Sequence, residues 1–499
     1  MSIMIVAPHT DFWCKSIHKA CDSYGVSISS WVGDTSNSNS PLGQGYDIFP
    51  AWHAFSLEGY EFQIELNSKS SISARDISSY DLFNYLKILD RVDFNGMMTL
   101  SERTCLLDRQ LDFWYKYLVD TKIEFVLFSN IPHLPYDYAI YIAAKHLSIP
   151  VINANRTPFQ GVCYLTEGIG HDPIPISDRI GESPISHSHF IDPFVLAAKT
   201  KLWYMEKQEQ DQRRSSINIK RIARTIRHPQ NFFRTVFLKN RIHSMKFRSI
   251  KTYPGRYSVS VRGIIKNMKE VVSAKLRQKT LRSAHDACIT KNLPVNYIYF
   301  PLNYQPEATT APFCDFDADQ ISFIRRIANN LPNDCTLVVK EHPTSFRTRL
   351  FGTSGRHPSY WDEIVNIKGV ALVSQDIDSK QIIKRSNGVI VLNGTAGWES
   401  VVNKIPCLVA SRAWFSYCPG VSRIDDSISL REKLKDLFEG RIYCPSDHDI
   451  ESFKRFVDTI FFQINEFPGS EVDAQCAVSS TAVAIEAGFS HVGYPEKKS

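Results

Sequence analysis

The chain has 499 residues, 43% of them hydrophobic and 22% charged, and a net charge of +6. Those values exclude a disordered or fibrous chain and leave room for two or three domains with sizeable cores. No run approaches the roughly 18 uncharged apolar residues that a bilayer span needs, and the first residues lack the basic stretch and apolar core of a secretory leader.

The expectation is therefore a cytoplasmic protein. Eleven scattered cysteines with no Cys-x-x-Cys spacing read as reduced thiols in the core, not as a disulfide framework or zinc site. The charge is uneven. Residues 213–282 hold twenty Lys/Arg and one acid, Glu270, while the remainder has 38 basic and 51 acidic residues. A basic stretch thus joins two acidic parts.

In chain order, residues 3–8 read as a first strand. Residues 101–118 read as a helix, with Leu106, Leu107, Leu111, Trp114 and Leu118 at helical spacing. The apolar run at 124–130 suits a buried parallel strand. Pro135 opens a helix to 147, and 149–155 is the next strand, which makes a βαβ unit. Residues 181–294 break the rhythm and read as a basic, largely helical insert. From 295 the alternation returns. Strands are expected at 295–302, 335–343, 369–374, 388–393 and 406–411, and helices at 319–331, 379–386, 394–402, 428–439 and 450–464. The predicted division is an N-terminal Rossmann-like, acceptor-side domain (1–180), the insert (181–294), a C-terminal Rossmann-like donor domain (295–465) and a tail (466–499).

Polar motifs fall at the carboxyl ends of the predicted strands, where open parallel sheets bind ligands. Lys340, Glu341 and His342 follow one strand, and Pro343 stops it. His342 and Lys340 there suit a phosphate; the alternative is a polar loop with a half-exposed imidazole. Asn393, Gly394, Thr395 and Gly397 make a turn into a helix, whose free N–H groups suit an anion. Glu399 follows, in reach of a ribose diol. The plain alternative is an ordinary helix start with Thr395 as N-cap.

The stretch 299–312 holds Asn303, Gln305, Glu307, Thr309 and Thr310 between prolines. His133 and Asp137 flank Pro135, as a general base or nucleophile with its partner, or as a helix start with a favourable acid. Arg412 could pair with a donor phosphate. Asp315, Asp317 and Asp319 precede a helix and read as macrodipole partners ahead of a metal site. His187 and His189 lack a companion carboxylate.

Together, the residues at 299–310, 338–343 and 393–409 and the Arg-aromatic-Pro-Gly loop at 411–424 resemble the capsule-synthesis family of surface-polysaccharide glycosyltransferases, which includes transferases of Kdo from CMP-Kdo. Residues 129–152 resemble the N-terminal half of relatives known as surface-carbohydrate biosynthesis proteins. The resemblance covers roughly 120–165 and 295–425. It implies a GT-B-like α/β fold, two Rossmann-like domains facing a cleft, with the donor held by the second.

The His-Pro pair at 342–343 is also similar to that of bacterial sialyltransferases, which implies His342 on the donor phosphate, Thr395 at the phosphate-binding helix start and Glu399 near the nucleoside. The paired-Ser motif of sialyltransferases is replaced here by Gly394-Thr395-Ala396.

The expected activity is transfer of a sugar, an ulosonic acid such as Kdo or a nonulosonic acid, from a CMP donor to a glycan or lipid-linked acceptor. Asp137, Glu307 and His133 are the catalytic candidates. Lys340, His342, Asn393, Gly394, Thr395, Gly397, Glu399 and Arg412 are the donor-binding candidates. No metal or other cofactor is expected, since CMP-linked donors can leave without one. Residues 213–282 suit an anionic inner-membrane surface. Nucleic acid is not expected, because few aromatics interleave the basic residues. The competing readings are a GT-B sugar-nucleotide epimerase and a non-catalytic capsule-assembly protein.

Overall fold

The computed structural model describes residues 2–35, 45–58, 64–93, 98–159, 161–176, 276–343, 345–346, 356–424, 430–465 and 473–494. Most of the basic stretch 213–282, and with it His187 and His189, lies outside the described residues. The part of the predicted insert at 276–288 is helical.

Strands form where apolar runs can be buried on both faces. In the first sheet these are β1 (Ser2–Val6), β2 (Ser27–Gly33), β3 (Asp47–Pro50), β4 (Phe125–Phe128), β5 (Val151–Arg156) and β6 (Val162–Glu167), completed by β13 (Phe461–Gln463). Their order is β13-β6-β5-β4-β1-β2-β3. The strands from β3 to β5 are parallel, whereas β6 and β13 run antiparallel to their neighbours.

Alternate residues of β1 enter opposite cores: Met4 and Val6 join one, Ile3 and Ile5 the other. Helices cover both faces. The helix Leu100–Asp120 starts with Thr99 and Glu102 capping each other's backbone, and Pro135 occupies the first turn of Pro135–His146.

The second sheet contains β7 (Tyr297–Pro301), β8 (Thr336–Lys340), β9 (Val370–Val373), β10 (Gly388–Val391), β11 (Cys407–Val409) and β12 (Val421–Arg423), all parallel, in the order β12-β11-β10-β7-β8-β9. Here too the two faces of one strand feed two cores, Tyr297 and Tyr299 into one and Ile298 and Phe300 into the other. The chain is α/β, with two Rossmann-like units of the GT-B-like kind.

The chain differs from the sequence reading near its end. The helix expected over 450–464 is Asp447–Asp458; Phe461, Phe462 and Gln463 then leave the second unit as β13, buried against β6. A Phe-Phe pair flanked by Ile460 and Ile464 is apolar on both sides, which suits a strand inside a sheet better than one face of a helix. The stretch read as a tail contains the helix Ala474–His491, capped by Asp473, which lies on the helix Asp11–Tyr24 of the first unit. Tyr24 and Phe489 meet there with ring centroids 5.5 Å apart. Among the described residues no helix is long and apolar enough to cross a membrane.

Candidate functional site

In the second sheet the strand order reverses between β7 and β10, and the crevice at such a reversal is where open α/β sheets hold ligands. Two loops leave the carboxyl ends of these neighbouring strands. The loop after β7 begins with Asn303 and Tyr304, and the turn after β10 holds Asn393 and Gly394. Asn303 Nδ2 donates to Asn393 Oδ1 at 3.5 Å. Asn303 is itself fixed: its N–H donates to Gln320 Oε1 at 2.7 Å, and its carbonyl accepts from Arg356 Nη2 at 3.0 Å.

The helix after β10 is Thr395–Val402. Its N-cap is Gly394, not Thr395, and no side chain caps it. Its leading N–H groups therefore lack the side-chain oxygen that serves most helix starts. Gly397 has a different use. A Cβ there would meet Phe415 Cζ at 2.6 Å and Val391 Cγ2 at 2.8 Å, so its bareness lets the helix close on the strand.

At the end of β8 successive side chains diverge, as a strand requires. Lys340 is buried and turns down, donating to Ser379 Oγ at 2.9 Å and to the Ile377 carbonyl. Its pKa is lowered by burial, against the pull of Asp378, Glu399 and Asp376. Glu341 takes the other side. It pairs with Arg356 at 3.0 Å and accepts from Trp361 Nε1 at 3.0 Å and Ser345 Oγ at 2.9 Å.

His342 is half-buried and sits edge-on to Tyr304, with ring centroids 5.8 Å apart. Burial pushes its pKa down to about 4, so the imidazole is neutral near pH 7. Tyr304 touches His342 while its neighbour Asn303 touches Asn393. The loop after β7 thus ties the two strand tips together. Glu399 lies on the helix beyond; burial raises its pKa, while Lys380 and Lys340 oppose the rise.

The same loop crosses to the first unit. Asp315 accepts from Asn84 Nδ2 at 3.1 Å, and Phe316 packs on Tyr80 and Phe83 with centroids 4.5 and 5.1 Å away. Glu307 accepts from Thr309 Oγ1 at 2.9 Å. Its pKa is raised by burial, and both the Thr309 hydrogen bond and the charge of Arg91 hold it back. Arg91 acts on Asp137 as well. Its charge therefore acts on a carboxylate of each unit.

Asp137 is buried at the third position of its helix, where Oδ1 accepts the Leu134 N–H at 2.6 Å. Burial raises its pKa to about 8 despite those backbone donors. His133 Nδ1 bonds the Ile131 carbonyl at 2.6 Å, and the His133 carbonyl accepts from Arg91 at 3.4 Å. Arg91 thus contacts the His133 main chain, and its charge is felt by both Asp137 and Glu307.

Arg412 follows Ser411, whose hydroxyl donates to the Leu392 carbonyl at 2.8 Å. Arg412 itself pairs with Asp172 of the first unit, which also accepts from Tyr417 Oη at 2.9 Å. The three acids after β7 are each engaged: Asp315 by Asn84, Asp317 by Arg326 at 2.6 Å, and Asp319 as the N-cap of Gln320–Ala328. Among the described residues no group of three or more His, Cys, Asp or Glu is placed to hold a metal.

Sequence reasoning missed Arg91, Arg356 and Gln375. Arg91 follows the helix Ser79–Leu89 in a stretch without any motif, and its partners are 46 and 216 positions away. Tyr304 was visible inside the 299–312 motif but was not singled out, because its partner ring belongs to another loop.

Comparison with known proteins adds the following. Residues 216–439 match the model of a family described as capsule polysaccharide biosynthesis protein. No curated protein matches the chain. Among solved structures, it is similar to Thermosulfurimonas dismutans KpsC, a beta Kdo 2,7 transferase, at 14% identity and a TM-score of 0.24, covering 42% of this chain and 60% of that one. It is also similar to UDP-GlcNAc 2-epimerase from Methanocaldococcus jannaschii at 11% identity and a TM-score of 0.24, covering 91% and 98%. The same enzyme from Neisseria meningitidis, bound to UDP-GlcNAc, aligns at 11% identity and a TM-score of 0.21, covering 98% and 100%. These scores are too low to bear on function. The match over residues 216–439 is to the same family that the motifs at 299–310, 338–343 and 393–409 resemble.

Proposed function

We propose that the protein is a glycosyltransferase of capsular or other surface-polysaccharide synthesis. It takes an ulosonic acid such as Kdo, or a nonulosonic acid, from a CMP donor and passes it to a glycan or lipid-linked acceptor. One observation carries the reading: a single loop after β7 contacts His342 through Tyr304 and the Gly394 turn through Asn303, carries Glu307, and reaches the first unit where Asp315 accepts from Asn84. A leaving nucleotide gripped at the strand tips would then lie within one loop of a half-buried carboxylate.

On this reading neutral His342 donates an N–H to the leaving phosphate, the uncapped helix start at Gly394 and Thr395 receives the anion, and Glu399 meets the ribose. Glu307 is the reacting carboxylate, either as general base for the acceptor hydroxyl or as nucleophile on the sugar. Asp137 serves mainly to cap its helix, Lys340 and Gly397 support the donor loops, and Arg412 holds the two units together. The basic residues 213–282 face an anionic membrane carrying the acceptor, each contributing on the order of 1 kcal/mol.

The test is thermal stabilisation by CMP, UDP and GDP. A ligand at a hundred times its Kd adds about 2.7 kcal/mol. CMP is expected to raise the melting temperature, and H342A to remove most of that rise. Stabilisation by UDP alone supports the epimerase reading, and stabilisation by none of the three rejects both.

A further inference from the structure

The main chain of His342 is held at both ends. Its N–H donates to Glu341 Oε1 at 2.8 Å, and its carbonyl accepts from Gln375 Nε2 at 2.5 Å and from the Ser345 N–H at 3.0 Å. Glu341 is anchored by Arg356 and Trp361. Gln375 lies on the loop after β9 and is 8% exposed. Its other amide atom, Oε1, accepts from Arg282 Nη1 at 2.9 Å.

Arg282 comes from outside the second sheet, on the helix at 276–288 that precedes β7. Its guanidinium is fixed on several sides. Nε pairs with Asp286 at 3.1 Å, Nη2 pairs with Asp376 at 3.3 Å, and the group lies over the Phe346 ring with its centre 5.3 Å from the centroid. The next turn of that helix adds His285, whose ring meets Phe346 and Trp361 at 5.3 and 5.5 Å.

A primary amide has one accepting and one donating end. A guanidinium only donates, so Arg282 can face only the oxygen of Gln375. That leaves the NH₂ group facing the His342 carbonyl. Without Arg282 the amide is free to turn and would then set oxygen against oxygen. We propose that Arg282 and Gln375 are positioning residues that orient His342 toward the leaving phosphate of a nucleotide donor. The proposal rests on the role of His342 given above and adds a helix outside the sheet to the donor site.

The informative substitution is Gln375→Glu. It keeps an acceptor for Arg282, and strengthens that pair, but removes the side-chain donor to His342 and leaves only the Ser345 N–H on that carbonyl. Q375E and R282A are each expected to weaken CMP binding by about five- to tenfold, the loss of one net hydrogen bond. Q375E should do so without lowering the melting temperature. In an H342A background, Q375E should have no further effect on CMP affinity.

Unchanged CMP affinity in Q375E overturns the proposal, as does an undiminished effect of Q375E in the H342A background. If H342A itself leaves CMP binding unaltered, the donor role of His342 falls separately. A crystal structure of Q375E then decides the clamp: a turned His342 peptide sustains it, and an unmoved one overturns it.

Discussion

At the residue scale the two candidate carboxylates part company. Asp137 spends an oxygen on the Leu134 N–H, whereas Glu307 is held by a hydroxyl on a loop that joins the units. E307Q is expected to lower sugar transfer at least a hundredfold, on the order of the contribution of a general base, with nucleotide binding intact. Its raised pKa places the acid limb of the wild-type rate profile above the ordinary glutamate range. D137N should retain transfer within a fewfold, since the amide oxygen can still accept the Leu134 N–H.

The pH dependence of stability tests the environment of Asp137. Its pKa rises on folding from 3.8 to about 8, so the protonated carboxyl is favoured in the native state. The stability it contributes is full below pH 3.8 and fades as pH rises toward about 8. Denaturant melts of D137N should show a flatter decline over that window than the wild type. Gly397 gives a packing test. Alanine there must displace Phe415 or Val391, and G397A should cost about 1–3 kcal/mol in chemical denaturation.

At the element scale, the end of β8 and the loop after β7 act together through Arg356. One guanidinium pairs with Glu341 and donates to the Asn303 carbonyl, so it joins the His342 side of the crevice to the Asn393 side. Both members of the pair are almost fully buried, with 2% and 0% of their side chains exposed. Removing one leaves an uncompensated charge. R356M is therefore expected to destabilise the protein by about 3–5 kcal/mol. Urea denaturation measures it, and a loss below about 1 kcal/mol would show the pair to be dispensable.

At the scale of the whole molecule, the last described residues belong with the first. After the helix Asp447–Asp458 the chain crosses back, adds β13 beside β6, and lays Ala474–His491 against Asp11–Tyr24. Phe462, Ala482, Ala484, Ile485 and Phe489 thereby enter the core that contains Ile3, Ile5 and Trp13. A chain cut after Asp458 should expose that face. It is expected to aggregate or bind a hydrophobic dye on purification, and a soluble, cooperatively melting product would contradict the closure. Phe159, Val162 and Tyr164 share a core with Trp414 and Phe461, so the units are also joined by apolar packing beside the Asp172–Arg412 pair.

The sequence alone made most strands and several helices legible, and it carries motifs that resemble a known family. Buried parallel strands write themselves as apolar runs ended by polar residues, and Pro135 and the Gly394 turn mark helix starts through local backbone chemistry. The tips at 342 and 394 were legible for the same reason. Tertiary structure alone decided what those residues face. It set Lys340 toward Ser379, closed Gly397 on Phe415, drew Arg412 to Asp172, and brought Arg91 to the His133 carbonyl. Such pairings join positions tens to hundreds of residues apart. Chain order carries local propensity and periodicity, but it holds no record of which distant side chain will satisfy a buried charge.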